Sequence, residues 1–259
     1  MAASIKKLLA TRNLVKVFGL GQLVSPKFVE IVAMNGGFDG IWLDHEHSGI
    51  STEQIEQATL AARACGLDSF VRLAPMDYAT VIRPLEAGAG GVMVAQVRNA
   101  PQTEQIVRWL KFHPRGLRGF NGLGVDGGYG SMPSAEYAAK ANRETFLAVQ
   151  IEHADAVTAI DKIAAVKDID LLFIGPADLT QSLGIPGEWN HPKLWDAIEK
   201  VAQAATEHNV AWGILPKDAE HARRCVELGC RCLAIGFDVW AVHLGVKATK
   251  SQFEEVFAM

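Results

Sequence analysis

Short apolar runs alternate with longer amphipathic stretches along almost the whole chain. The runs are LVKVFGL (14–20), FDGIWLD (38–44), DSFVRL (68–73), GGVMVA (90–95), FLAVQIE (146–152), IDLLFIG (169–175), VAWGIL (210–215) and CLAIGF (232–237). They are rich in Val, Ile, Leu and Phe and mostly apolar on both faces, the pattern of parallel strands covered by helices. Between them, Ser25 followed by Pro26 reads as the cap and first position of a helix that ends near Asn35-Gly36-Gly37. Ser51 caps STEQIEQATLAARACG, with Gly66 as its stop, and Asp77 opens DYATVIRPLEAG, closed by Gly88. Further helices are predicted over 101–111, 154–166, 193–208, 217–229 and 238–257. Residues 113–133 break the rhythm. They carry Gly116, Gly119, Gly122, Gly124, Gly127, Gly128 and Gly130 with no periodicity, and a structureless stretch longer than about 12–15 residues reads as a functional loop.

Eight β/α units in 259 residues predict an α/β fold, a single (β/α)8 TIM barrel spanning 1–259 with its active site at the C-terminal ends of the strands. A doubly wound open sheet is the alternative. The eight-fold count, and the lack of G-x-G-x-x-G after the first run, favour the barrel. No Pro/Ser-rich or charged linker divides the chain.

Composition narrows the partners. With 49% hydrophobic and 21% charged residues the chain is globular rather than disordered. A formal net charge of −4 argues against a nucleic-acid or anionic-membrane binder. No run approaches the roughly 20 apolar residues of a membrane span, and MAASIKKLLATRNL lacks the apolar stretch of a signal peptide. Cys65, Cys225, Cys230 and Cys232 match neither a redox nor a zinc spacing. They read as reduced thiols of a cytoplasmic protein.

Charged groups recur at one end of the apolar runs. Run 2 ends in Asp44-His45-Glu46-His47, run 3 in Arg72, run 4 near Gln96 and run 5 in Gln150-Ile151-Glu152-His153. Run 6 leads into Gly175-Pro176-Ala177-Asp178, and run 8 into Asp238. Burying such groups is costly unless they are paired or bind a metal. Glu152 and Asp178, from consecutive strand ends, are the metal candidates, since two carboxylates suit a hard cation such as Mg²⁺ or Mn²⁺. Helix capping is the alternative for both. His47 is a candidate acid–base group, although strand alternation also pairs it with His45 as a His-x-His metal set. Arg72 is placed to grip a carboxylate or to form a structural ion pair. The turn Gly175-Pro176-Ala177-Asp178 offers backbone N–H groups to an anion. His113, His191, His208, His221 and His243 read as structural or solvated.

Taken together, FDGIWLDHEH (38–47), VR (71–72), PRGLRGF (114–120), VQIE (149–152) and FIGPADLTQSLG (173–184) resemble the class II, metal-dependent 4-hydroxy-2-oxo-acid (pyruvate) aldolases. That family belongs to the phosphoenolpyruvate/pyruvate barrel superfamily and is related to citrate lyase β-subunits. The resemblance implies an aldehyde-lyase that cleaves a 4-hydroxy-2-oxo acid to pyruvate and an aldehyde by a retro-aldol reaction through a metal-bound enolate. It implies that Glu152 and Asp178 hold the divalent metal, Mg²⁺ or Mn²⁺ first, with Co²⁺ or Zn²⁺ also accommodated. Arg72 then stabilises the enolate, His47 acts as acid–base, and Asp44 helps hold the site. Gln150 contacts substrate or metal-bound water, and Gly175, Pro176, Ala177 and Asp178 receive the substrate carboxylate. Glu86 stands where the family commonly has the aspartate that partners the histidine; a surface pair with Arg83 is its alternative. Two more departures are Val94-Ala95-Gln96, where a proline is usual after the strand, and the loop 120–129, which lacks an arginine-bearing stretch. No lysine ends any of the eight runs, which argues against an imine mechanism. Other metal-enolate chemistry (a decarboxylase or citramalyl-type lyase) and a catalytically silent 2-oxo-acid binder are the alternatives. The resemblance also implies a homo-oligomer, often a hexamer, with C-terminal helices exchanged between subunits; packing of 238–257 on its own barrel is the other reading.

Overall fold

The computed structural model describes residues 4–11, 14–74 and 77–259; the first three residues of the N-terminal stretch lie outside them. The eight apolar runs become β1 (Val15–Leu20), β2 (Gly40–Asp44), β3 (Asp68–Leu73), β4 (Gly91–Val94), β5 (Phe146–Ile151), β6 (Leu171–Ile174), β7 (Ala211–Ile214) and β8 (Cys232–Phe237). Each pairs in parallel with its sequence neighbours, and β8 pairs with β1, so the sheet closes into a barrel. The open-sheet alternative is thereby excluded.

Several helices start where the sequence puts a cap. Ser25 accepts from Phe28 N ahead of α2 (Pro26–Asn35), and Asp77 accepts from Thr80 N ahead of α4 (Tyr78–Glu86). Ser51 and Gln54 form a reciprocal capping box ahead of α3 (Thr52–Ala64). The other helices named below are α5 (Ala100–Leu110), α9 (Pro176–Ser182), α10 (Pro192–Glu207) and α11 (Ala219–Glu227). The predicted helix 154–166 divides at Ala159 into α7 (Ala154–Thr158) and α8 (Ile160–Ala164).

Two helices escape the sequence pattern. The first, α1 (Ile5–Ala10), is too short for periodicity to reveal; it buries Ile5 and Leu9 and lies across the end of the barrel where the strands begin. Asp68 Oδ2 accepts from Ile5 N at 2.7 Å, and Arg231 donates to Leu9 O at 2.7 Å, which fixes it there. The second, α6 (Ser134–Glu144), follows the glycine-rich segment with Pro133 rather than a capping side chain. Its Tyr137 and Ala141 pack on Phe112.

Inside the barrel the two-residue repeat of each strand stacks side chains in layers. Trp42, Phe70, Phe146 and Phe173 belong to an apolar layer that continues to α1. Two residues further along β2 and β3 are Asp44 and Arg72, which lie opposite each other in register, just as Trp42 lies opposite Phe70. The aromatic layer is therefore the floor beneath the polar layer at the mouth.

Beyond the first turn of its helix, the C-terminal segment does not pack on its own barrel. In α12 (Asp238–Gln252) only Asp238 is buried, and α13 (Glu254–Phe257) buries nothing. Trp240, Val242, Leu244, Val246, Phe253 and Phe257 are exposed. So are Ile235 on β8, Ile31 and Met34 on α2, and Val226 on α11. Among the described residues no helix is long and apolar enough to cross a membrane.

Candidate active site

The mouth is built by three strand ends and the turns behind them. Among the described residues, Arg72 is the single guanidinium in its buried centre. Its Nε donates to Asp44 Oδ1 at 3.0 Å and one terminal nitrogen donates to Asp44 Oδ2 at 2.7 Å, a bidentate clamp. Its other terminal nitrogen lies 3.3 Å from Glu46 Oε2. The guanidinium carbon sits 4.9 Å above the centroid of the Trp42 ring. Trp42 is wedged among Phe70, Phe173 and Phe237, so the arginine plane is held from below by a ring that cannot move aside. Of five N–H donors, two serve Asp44 and one faces Glu46. One on each terminal nitrogen is left for a ligand.

Against this cation stand four carboxylates. Asp44 resists the upward push of burial, because Arg72 and the N–H groups of Glu46 and His47 hold its pKa below the ordinary carboxylate value. Burial pushes Glu46 up, and the charges of Asp44 and Asp178 add to the push against Arg72 and His47. Glu152 is 2% exposed. Its burial, with Glu46 and Asp178 nearby, raises it to about 7, although the N–H of Gln96 and the charge of Arg72 oppose the shift. Its Oε1 accepts from Gln96 N at 2.7 Å, and its Oε2 accepts from Gln150 Nε2 at 2.5 Å. Gln96 holds a left-handed φ of 55° to deliver that N–H, a local strain of the kind found at functional sites.

These residues fit a divalent cation. Among the described residues Gln150 Oε1 is buried with no hydrogen-bond partner, and Glu152 carries a costly charge; both are oxygen donors of the kind Mg²⁺ and Mn²⁺ prefer. Gly175 leaves the space: a Cβ there would stand 2.6 Å from Gln150 Nε2 and 2.6 Å from Glu152 Oε2. Asp178 lies in the first turn of α9 and does not cap it; Gly175 occupies the cap position. The carboxylate therefore stays available, and the first-turn N–H groups of Ala177 and Asp178 have no intrahelical acceptor. Among the described residues no three His, Cys, Asp or Glu side chains gather into a ready metal cluster, at His45 and His47 or at the carboxylates; the oxygen set above is the candidate because it also includes the unpartnered Gln150 Oε1.

The histidine differs from expectation in its partner. The His47 side chain is 60% exposed and its Nε2 lies 3.6 Å from Glu46 Oε2. Glu86, expected to orient it, is elsewhere. Helix α4 begins at the mouth with Tyr78 and runs back to the far end of the barrel. Its last residue, Glu86, therefore sits beside the 112–133 loop, where its backbone carbonyl would be 3.2 Å from a Cβ on Gly124. Among the described residues of this chain, the ion-pair partner of His47 is Glu46. The loop itself is ordered around Arg118. That side chain is buried over the Phe112 ring, 2.5 Å from Asp126 and 3.2 Å from the Tyr137 hydroxyl.

Three participants escaped the sequence reading. Glu46 lies inside the quoted DHEH run, and strand alternation put it beside Asp44, but it received no role. Trp42 is two residues before Asp44, the spacing that places both on one face. Gln96 acts through its backbone, which sequence does not reveal. Asp238, counted among the strand-end charges, faces backbone amides of the β1–α2 loop instead of the mouth's carboxylates.

A family model described as HpcH/HpaI aldolase/citrate lyase matches residues 21–243. The chain is 33% identical over 233 residues to a hydroxypyruvate/pyruvate aldolase of Pseudomonas aeruginosa, covering 90% of this chain and 86% of the relative. It is 30% identical over 233 residues to a 5-keto-4-deoxy-D-glucarate aldolase of Klebsiella pneumoniae, covering 90% of each. A solved HpcH/HpaI aldolase from Desulfitobacterium hafniense superposes with a TM-score of 0.89 at 35% identity, covering 96% of this chain and 97% of that one.

Proposed function

Since the chain belongs to the HpcH/HpaI aldolase/citrate lyase family, pyruvate-class aldolases of the aldehyde-lyase type, we propose that it cleaves a 4-hydroxy-2-oxo acid to pyruvate and an aldehyde at the mouth of its barrel, with a divalent metal as cofactor. The observation that carries this reading is the excess of buried carboxylate over cation. Asp44 consumes the charge of Arg72, which leaves Glu152, Asp178 and the orphan Gln150 oxygen for an added cation. Mg²⁺ or Mn²⁺ fits that oxygen set best. Bound there, the cation would supply Lewis acidity to the carboxylate and keto oxygens of the 2-oxo acid.

The chain's own residues do the rest. The free N–H groups of Ala177 and Asp178, beside Gly175 and Pro176, bind the substrate carboxylate. The two unspent donors of Arg72 face the keto oxygen, where negative charge develops. His47 takes the proton of the 4-hydroxyl, directly or through one water. The C3–C4 bond then breaks, its electrons pass to C3 and the keto oxygen, and the aldehyde leaves. Solvent returns a proton to C3 to give pyruvate. Glu46 steadies His47 in place of Glu86, and Asp44 and Trp42 hold the plane of Arg72.

Assembly is part of the proposal. The bare outer face at Ile235, between α2 and α11, and the uncovered flank of α12 are both apolar. Each suits the other across two copies of the chain, giving a homo-oligomer with exchanged C-terminal helices. The four free cysteines fit a reducing cytoplasmic compartment.

The test is a lactate-dehydrogenase-coupled assay for pyruvate across a panel of 4-hydroxy-2-oxo acids with Mg²⁺, Mn²⁺, Co²⁺ or Zn²⁺. Pyruvate released with metal and abolished by EDTA supports the reading. Binding of 2-oxo acids without turnover of any panel member would leave a silent binder instead.

A further inference from the structure

Asp238 is 1% exposed and stands outside the set of mouth carboxylates. Its Oδ2 accepts three consecutive backbone N–H groups: Gly21 at 2.9 Å, Gln22 at 2.8 Å and Leu23 at 2.7 Å. Its Oδ1 accepts from Val239 N at 2.7 Å. Three amides converging on one carboxylate oxygen form charge-assisted bonds, stronger than those to a neutral acceptor. They fix the backbone of the turn that follows β1.

That turn lies directly against the segment carrying His47. A Cβ on Gly21 would stand 3.5 Å from Asp44 Cβ and 3.9 Å from Ser48 Cβ, so the turn lies against the side chains that flank the histidine segment on either side. Gln22 Nε2 donates to the carbonyl of His47 at 3.3 Å. The histidine ring is largely in solvent and touches Glu46 at 3.6 Å, so its reach into the mouth depends on where its backbone is held.

We propose that Asp238 is a positioning residue for His47: it pins residues 21–23, and that turn pins the His47 backbone. The inference rests on the reading of His47 as the group that moves the 4-hydroxyl proton. It predicts a defect confined to cleavage. Exchange of pyruvate methyl protons needs the metal ligands and Arg72, with water as proton acceptor, the reverse of the step that returns a proton to C3, and it involves no 4-hydroxyl.

The experiment compares Asp238→Asn, Asp238→Ala and Gln22→Ala, each alone and combined with His47→Ala, in cleavage and in methyl exchange with Mg²⁺ present. Asp238→Ala should lower kcat for cleavage about tenfold, Asp238→Asn by less because its carbonyl still accepts, and Gln22→Ala roughly twofold to fivefold. KM, Mn²⁺ affinity and methyl exchange should stay at wild-type values. On top of His47→Ala, none of the three should lower cleavage further, the mark of residues acting as one unit. An equal loss in both backgrounds, or a fall in exchange along with cleavage, would overturn the proposal. If His47→Ala itself cleaved at the wild-type rate, the His47 reading would fail by that variant alone, and with it this role of Asp238. Gln22 is exposed, so Gln22→Ala keeps the test open even if Asp238→Ala does not fold.

Discussion

At the closed end of the barrel, Lys6 meets Asp170 at 3.1 Å, buried Lys111 donates to Asn142 O at 2.7 Å, and Asp68 takes the N–H of Ile5. At the mouth, Glu152 is as deeply buried, yet its neighbours include Glu46 and Asp178, and the nearby guanidinium is already clamped by Asp44. Both ends bury charge. The closed end answers it from within the chain, with cations, amides and carbonyls in reach, whereas at the mouth Glu152 has the N–H groups of Gln96 and Gln150 but shares one clamped guanidinium with three other carboxylates. Charge that is compensated internally reads as architecture. Charge that needs an added cation reads as a binding site.

The comparison can be broken most sharply by substitution at the mouth. Glu152→Gln or Asp178→Asn should remove divalent binding and lower kcat about a thousandfold, the loss of some 4 kcal/mol of charge stabilisation. Titration calorimetry with Mn²⁺ beside steady-state rates checks both; full metal occupancy in either variant would contradict the ligand assignment. Arg72→Lys should cost about a hundredfold in kcat, because an ammonium cannot both meet the two Asp44 oxygens and face the substrate. A raised KM with unchanged kcat would make Arg72 a substrate anchor only.

Stability against pH should run in opposite senses at the two ends. Without metal, Glu152 has a folded pKa of about 7 against an ordinary 4.5. The folded state then binds more protons, so stability falls as pH rises from about 4.5 to 7. The loss is on the order of 3 kcal/mol. Adding Mg²⁺, or the change Glu152→Gln, should remove it. Lys111 has a folded pKa of about 8 against 10.5. The unfolded state binds more protons there, so stability rises from about pH 8 to 10.5, by a similar amount. Lys111→Met should abolish that rise while leaving kcat unchanged. Urea unfolding at several pH values, with EDTA or Mg²⁺, reads both.

The smallest effect belongs to Trp42. Its ring contributes about 1–2 kcal/mol to holding the desolvated Arg72 guanidinium. Trp42→Phe should therefore stay near wild type, whereas Trp42→Leu should lose several-fold in kcat. Equal losses in both variants would mean that the ring serves only packing.

How much of this was written in the chain follows from where each signal resides. The strands were legible because each apolar run is bounded by turn residues, and α2, α3 and α4 because Ser25, Ser51 and Asp77 are side-chain caps. Helix α6 was hidden because it starts from Pro133 with no capping side chain, directly after the glycines. The proposed metal ligands were legible because Glu152 directly follows β5 and Asp178 lies in the first turn of the helix after β6, both behind otherwise apolar runs. Within one chain Glu46, not Glu86, neighbours His47, because linear order does not say that α4 carries Glu86 back to the far end, while Glu46 needs only a bend after β2 to reach the ring. The contribution of Gln96 lies in a backbone N–H at positive φ, for which its side-chain identity gives no signal.

The central claim is that the carboxylate excess at the mouth holds a divalent cation which, with Arg72, would stabilise negative charge on the keto oxygen of pyruvate, so that solvent takes up a methyl proton and returns another. It is tested most directly, without knowing the aldehyde, by following the pyruvate methyl signal by proton NMR in D₂O with catalytic protein. The account predicts loss of that signal with Mg²⁺ or Mn²⁺, abolished by EDTA and absent in Glu152→Gln. A methyl signal that exchanges equally fast after EDTA, or persists with every metal supplied, would contradict it.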